Sequence, residues 1–127
     1  MKVIVITSDD KIEIREFSTS QYETLCKAVG GPIEIVHPIG LLRPYCMIVN
    51  EEGLLRDLPE NRMGSYLYGA QFHGSPIVGD IVILKEGFTT SGPDILPLED
   101  AECEQLFKLL KDYELTPVGE DKNEKGE

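Results

Sequence analysis

The residues best suited to chemistry in this chain are Asn50, Asn61 and Arg62, with Arg43, Tyr45 and His73 close by in sequence. A carboxamide can both donate to and accept from a purine edge, and a guanidinium binds a phosphate or carboxylate through two parallel hydrogen bonds. Tyrosine rings offer a stacking surface for a base. Arg62 follows a helix cap expected at Asn61, where free backbone N–H groups also favour anions. These six residues form the candidate ligand-binding set, and the chemistry they suggest is recognition of a nucleotide-like small molecule. The competing use of Arg43 or Arg62 is an ion pair with one of the 23 acidic side chains, and that of the tyrosines is to fill the core.

No catalytic set accompanies them. His37 and His73 stand apart from any serine or cysteine nucleophile, and two histidines without a dense acidic motif do not make a zinc site. Phosphate-binding, dinucleotide-binding, zinc-protease and nucleophile-elbow motifs are all missing from the sequence. The acid pairs Asp9-Asp10, Glu51-Glu52 and Glu99-Asp100 lie at turns or helix starts, where turn chemistry and the helix dipole account for them. The sequence therefore implies no catalytic residue, no metal and no cofactor, with a nucleotide hydrolase acting through His37 or His73 as the third reading. Three dispersed cysteines, Cys26, Cys46 and Cys103, suit reduced, buried thiols in the cytoplasm.

Net charge narrows the partners. The formal charge is −11, and residues 118–127 hold four acids and two lysines, a net of −2, which leaves −9 for the rest. A phosphate backbone would be repelled, and there is no basic cluster to compensate, so a nucleic-acid partner is not expected. The opening run of apolar residues is too short for a signal-peptide core or a membrane span.

The elements that must position the candidate residues follow from patterning. Val3 to Ile6 reads as a strand buried on both faces, and Ile12 to Phe17, alternating less cleanly at its end, as its hairpin partner. Ser20 and Glu23 have capping-box spacing, and Tyr22, Leu25, Cys26 and Val29 recur at helical intervals before Gly30-Gly31. Strands are expected at Ile33–Val36, Tyr45–Val49 and Ile81–Leu84, with a short helix from Asn61 to Tyr68 ended by Gly69. Lys85 to Pro97 reads as an irregular loop, and Asp100 as the cap of a last helix carrying Cys103, Leu106, Phe107, Leu110 and Tyr113. The fold class is α+β: one domain over residues 1–117, a mostly antiparallel sheet of about five strands, two main helices and one short one. At least one face of the sheet is covered by the first and last helices, and 118–127 is a disordered acidic tail.

Val29-Gly30-Gly31-Pro32-Ile33-Glu34-Ile35-Val36, Met47 to Leu54, Leu58-Pro59-Glu60-Asn61-Arg62 and Ile77 to Ile83 together resemble the family known as domain of unknown function 3846, over roughly residues 2 to 115. The resemblance implies a small cytosolic product of phages and mobile elements, and it brings no catalytic residues. Such a setting implies a protein that redirects or disarms its host. The favoured reading is a sponge that sequesters a nucleotide-derived signal, in a groove or at the interface of a homo-oligomer, with the loops at Gly74 and Gly92 closing over it. The alternative is an acidic mimic of DNA, or another protein-interaction inhibitor, that occupies a basic host enzyme.

Overall fold

The computed structural model describes residues 2–17, 22–41, 43–70 and 74–115. Six strands and three helices occur among them: β1 (Lys2–Ile6), β2 (Ile12–Glu16), α1 (Tyr22–Val29), β3 (Ile33–Val36), β4 (Tyr45–Asn50), α2 (Arg62–Tyr68), β5 (Ile81–Thr89), β6 (Gly92–Leu96) and α3 (Asp100–Leu115). The strands form one sheet in the order β2-β1-β5-β4-β3, with β6 added to the far half of β5, and every pairing is antiparallel. The architecture is a single small α+β domain.

Both faces of this sheet are covered. Val3, Val5, Cys46, Ile48, Val82 and Leu84 point to one side, against Leu25 and Val29 of α1. Ile4, Ile6, Met47, Val49, Ile81 and Ile83 point to the other, against Met63 and Leu67 of α2 and Cys103, Leu106 and Leu110 of α3. A strand covered on both faces cannot alternate apolar with polar residues, which is why β1, the middle of β4 and the start of β5 read as unbroken apolar runs. Each fully buried Ile or Leu here contributes about 1.5–3 kcal/mol relative to its exposed state. The first and last helices therefore lie on opposite faces, and it is α2 that shares a layer with α3, their tyrosines 66 and 113 meeting edge to face at 5.4 Å.

Two local expectations are corrected. Lys85 to Pro97 is not an irregular loop: β5 continues to Thr89, turns through Thr90-Ser91 and returns as β6, with Thr89 opposite Gly92 and Lys85 opposite Leu96. Beyond Leu84 this ribbon runs to the margin of the core, where Ile95 still packs in part, and it carries little of the apolar alternation that marks a strand in sequence. The last helix begins at Asp100, which places Glu99 in the cap position: the Cys103 N–H donates to the Glu99 carbonyl, and the Glu99 N–H donates to the Glu102 carboxylate. Asp100 instead pairs with Lys2 at 2.8 Å. The capping role expected of Ser20 falls outside the described residues.

Asn61 does cap α2, and it does more. Its side-chain oxygen accepts from the Gly64 N–H at 2.8 Å, while its amide group donates to the carbonyls of Ile6 and Gly79, each at 2.9 Å. One side chain thus joins the end of β1, the entry to β5 and the start of α2. Its backbone N–H also donates to the Ile77 carbonyl, and the residue is fully buried. Ser65, one turn later, both donates to and accepts from the backbone of Ile77. At the other end of α2, Gly69 takes φ of 82° and closes the helix with its own N–H.

Removing the Asn61 side chain should leave two buried carbonyls and one N–H unpaired. Asn61→Ala is expected to lower the unfolding free energy by about 3–5 kcal/mol. Asn61→Asp, which keeps the cap but faces two carbonyls with a carboxylate, is expected to cost at least as much. Urea denaturation monitored by circular dichroism measures both, and a loss smaller than about 1 kcal/mol would show that the network does not hold the fold.

A second expectation concerns pH. Lys85 Nζ lies 2.8 Å from Glu102, both side chains largely shielded from solvent. The hydrogen bond from Lys85, and then the Glu99 N–H, hold the Glu102 carboxyl below the usual carboxylate range, and the same hydrogen bond raises Lys85. A depressed carboxylate contributes stability above its ordinary titration range and loses it as pH falls through its lowered value, on the acid side of that range. The raised lysine contributes at all lower pH values and loses its share only above about pH 10.5. Glu102→Gln should therefore lower the unfolding free energy measured by urea denaturation at neutral pH by about 1 kcal/mol or less, and the wild-type and variant stabilities should converge once pH falls well below the usual carboxylate range.

Candidate functional site

The sequence-derived candidates separate into two groups at opposite ends of the sheet. β4 runs from Tyr45 to Asn50, five residue steps or roughly 17 Å. Asn50, Asn61 and Arg62 lie near its far end, where β1 finishes and β5 begins, while Arg43 and Tyr45 lie at its start. His73 falls outside the described residues.

Within the first group the polar capacity is spent internally. The Asn50 amide donates to the Val29 carbonyl at the end of α1, and its side-chain oxygen accepts from the Glu52 N–H, forming the turn that leaves β4. A Cβ at Gly31 would sit 2.9 Å from the Asn50 amide nitrogen, so the second glycine of the Gly30-Gly31 pair is there for close approach. Asn61 is enclosed, as described above. Arg62 is exposed and pairs with Asp10 at 3.1 Å, the intramolecular use that competed with anion binding. These three residues do not converge on a common opening.

At the other end, Tyr45 is partly buried, and burial, followed by the charge of Glu102, raises its phenol. With Gly40, Leu41, Leu106 and Leu109 it lines a mainly apolar cavity of about 230 Å³ between the β3–β4 connection and α3. Arg43 is exposed beside this region. The Gly92 loop is the tip of the β5–β6 ribbon, next to the exposed Phe88.

His37 has a partner that no local pattern announces: its Nε2 lies 2.5 Å from a carboxylate oxygen of Glu86, on a strand two places away in the sheet. The nearest thiol by strand pairing, Cys46, is buried, and its pKa is pushed up to about 12 by burial and then by the charge of Glu86. It is a protonated core thiol, unsuited to nucleophilic attack at neutral pH. Cys103 is raised by burial in the same way. Among the described residues no group of three or more His, Cys, Asp or Glu side chains is arranged to hold a metal ion. No helix among them is long and apolar enough to cross a membrane.

Another concavity lies at the β3 edge. It has a volume of about 240 Å³ and a floor of Val36, Val49, Ile77 and Val78, closed on one side by Tyr68 of α2 and Ser75-Pro76. Glu34 and Glu51 line it, and among the described residues no lysine or arginine does. Both glutamates are exposed, and neither has a basic partner among the described residues. Local pattern does not single them out, because Glu34 sits within a short strand and Glu51 within a stretch of turn composition. Only the pairing of Ile33 with Asn50 and Glu34 with Val49, together with the return of the chain at 75–78, brings the two carboxylates onto one hollow.

Comparison with known proteins adds the family. Residues 1–111 match the model of the Domain of unknown function (DUF3846). No curated protein and no solved structure matches the chain. The match covers most of the length, including both asparagines, the Gly30-Gly31 turn and the β3-edge hollow, and the chain belongs to the DUF3846 family.

Proposed function

We propose that this domain is a binding module that occupies a basic partner protein through an acidic surface at the β3–β4 end of the sheet, and that it acts by occupation rather than catalysis. The observation that carries this reading is the uneven compensation of its charge. Acids of the β1–β2 hairpin and the start of α3 are paired: Asp9 with Lys11, Asp10 with Arg62, Glu13 with Arg15, Asp100 with Lys2 and Glu102 with Lys85. Glu34, Glu51, Glu52, Asp57 and Glu60 have no such partner among the described residues, and they share the strand edge and turn beside the hollow. Arg56, the base within that turn, is turned to the Gly30 carbonyl. Exposed Leu54 and Leu55 lie among these acids, so the patch offers apolar contact inside a negative field, as protein-binding surfaces do. In the phage setting that the resemblance implies, the partner would be a host enzyme.

Sequestration of a nucleotide-derived ligand draws less support from the geometry. A phosphate needs cationic or N–H donors, and the hollow presents carboxylates instead. The two carboxamides expected to read the base are committed to the backbone of the fold itself.

Two variants of equal charge separate a defined surface from general acidity. One neutralises Glu34, Glu51, Glu52 and Asp57 to their amides; the other neutralises the exposed Glu23, Asp94, Glu104 and Asp112. With poly-L-lysine as probe at physiological salt, the first is expected to weaken binding by about tenfold or more and the second by less than about threefold. Equal losses would refute a localised surface. Release of a nucleotide from the heated, purified protein would favour sequestration instead.

A further inference from the structure

We propose that the hollow at the β3 edge receives one lysine or arginine side chain from an extended peptide segment that lies along that edge. This rests on the acidic-surface reading above and specifies how the partner is held.

The hollow has the two-part character of a long cationic side chain. Val36, Val49 and Ile77 form an apolar floor suited to the methylenes, and the Glu34 and Glu51 carboxylates line the same space to receive the charged head. Lysine and arginine bury their stems on apolar surface while the head keeps polar contacts, and a charge-assisted hydrogen bond to a carboxylate is about twice as strong as a neutral one. No lining residue among those described is basic, so a cation entering here meets attraction from both glutamates.

The sheet edge points to a peptide as the carrier of that cation. β3 is an outer strand. The Glu51 N–H donates to the Pro32 carbonyl, which makes 32 and 51 a hydrogen-bonded pair. In an antiparallel ladder such pairs alternate, so Glu34 with Val49 and Val36 with Met47 also bond inward, and the backbone groups of Ile33 and Ile35 face outward. The backbone of Ile33 already meets the Tyr22 hydroxyl. Ile35, 38 % exposed, is left to present a donor and an acceptor to an added strand. A residue of that strand lying opposite Glu34 or Val36 sends its side chain to the same face of the sheet as theirs, which is the face that carries the hollow.

The test uses the full chain, labelled with nitrogen-15, titrated with acetyl-Thr-Val-Lys-Val-Thr-amide and followed by amide chemical shifts. Shifts centred on Ile35, Val36, Val49 and Ile77 are expected. Replacing the peptide lysine with norleucine, or the protein carboxylates with Glu34→Gln and Glu51→Gln together, should each weaken binding by about tenfold or more. Acetyl-lysine methylamide, which has the side chain but no strand, should bind at least about tenfold more weakly than the peptide. Lysine and norleucine peptides of equal affinity, an unaffected double variant, or shifts centred elsewhere would overturn the proposal. Equal affinity for the methylamide would overturn the strand contribution and assign the hollow to a free cation. If the double variant is unaffected while the four-acid variant still loses poly-L-lysine binding, the site fails and the broader acidic-surface reading stands. Both glutamates are exposed, so a preserved urea midpoint separates lost binding from lost fold.

Discussion

The side chain of Asn61 holds together three elements that would otherwise meet with unpaired backbone. At the end of β1 and the entry to β5, the carbonyls of Ile6 and Gly79 point into protein, where water cannot satisfy them. A carboxamide is the one neutral side-chain group that can donate twice and still accept a bond, and it uses the acceptor to start α2. The position of α2, and with it Tyr68 and the wall of the β3-edge hollow, follows from this residue. Asn50 repeats the device on the other face of the sheet, tying the end of α1 to the turn after β4.

Covering a sheet on both faces constrains where function can sit. Helices on either side exclude water from the central strands, so polar chemistry is displaced to strand ends, the outer strands and the β5–β6 ribbon. The acids of this chain follow that rule. Where two elements must be brought into register, as at Lys85 with Glu102 and Lys2 with Asp100, an acid is matched by a base and the charge is absorbed into the architecture. At the β3–β4 end no such match is made among the described residues, and the negative field is left facing outward. Part of the excess charge seen in the composition thereby acquires a location.

Local elements were legible in the sequence to the extent that one segment's own pattern determined them. The apolar runs of β1 and β5, the helical spacing of α1, the Asn61 cap and the Gly69 stop depend on steric and hydrogen-bonding preferences within a few residues. The ribbon beyond Leu84 was not legible, because its strand character comes from pairing with β6 rather than from side-chain alternation. The cap at Glu99 was missed for a related reason: Asp100 has the commoner capping side chain, and its attraction to Lys2, 98 residues away, is invisible locally.

The candidate site shows the same division more sharply. Sequence alone determined that this chain is acidic, that it has an α+β element order and that polar residues cluster at the turns around Asn50 and Asn61. It could not say whether those residues face a ligand or the fold, since a carboxamide suits either and the outcome depends on which carbonyls are left unpaired nearby. Tertiary structure alone decided that Asn50 and Asn61 turn inward, that Arg62 is taken by Asp10, and that Glu34 and Glu51, 17 residues apart, share one hollow. The physical reason is that backbone satisfaction and strand pairing act between distant segments, and those long-range demands assign each polar side chain its role.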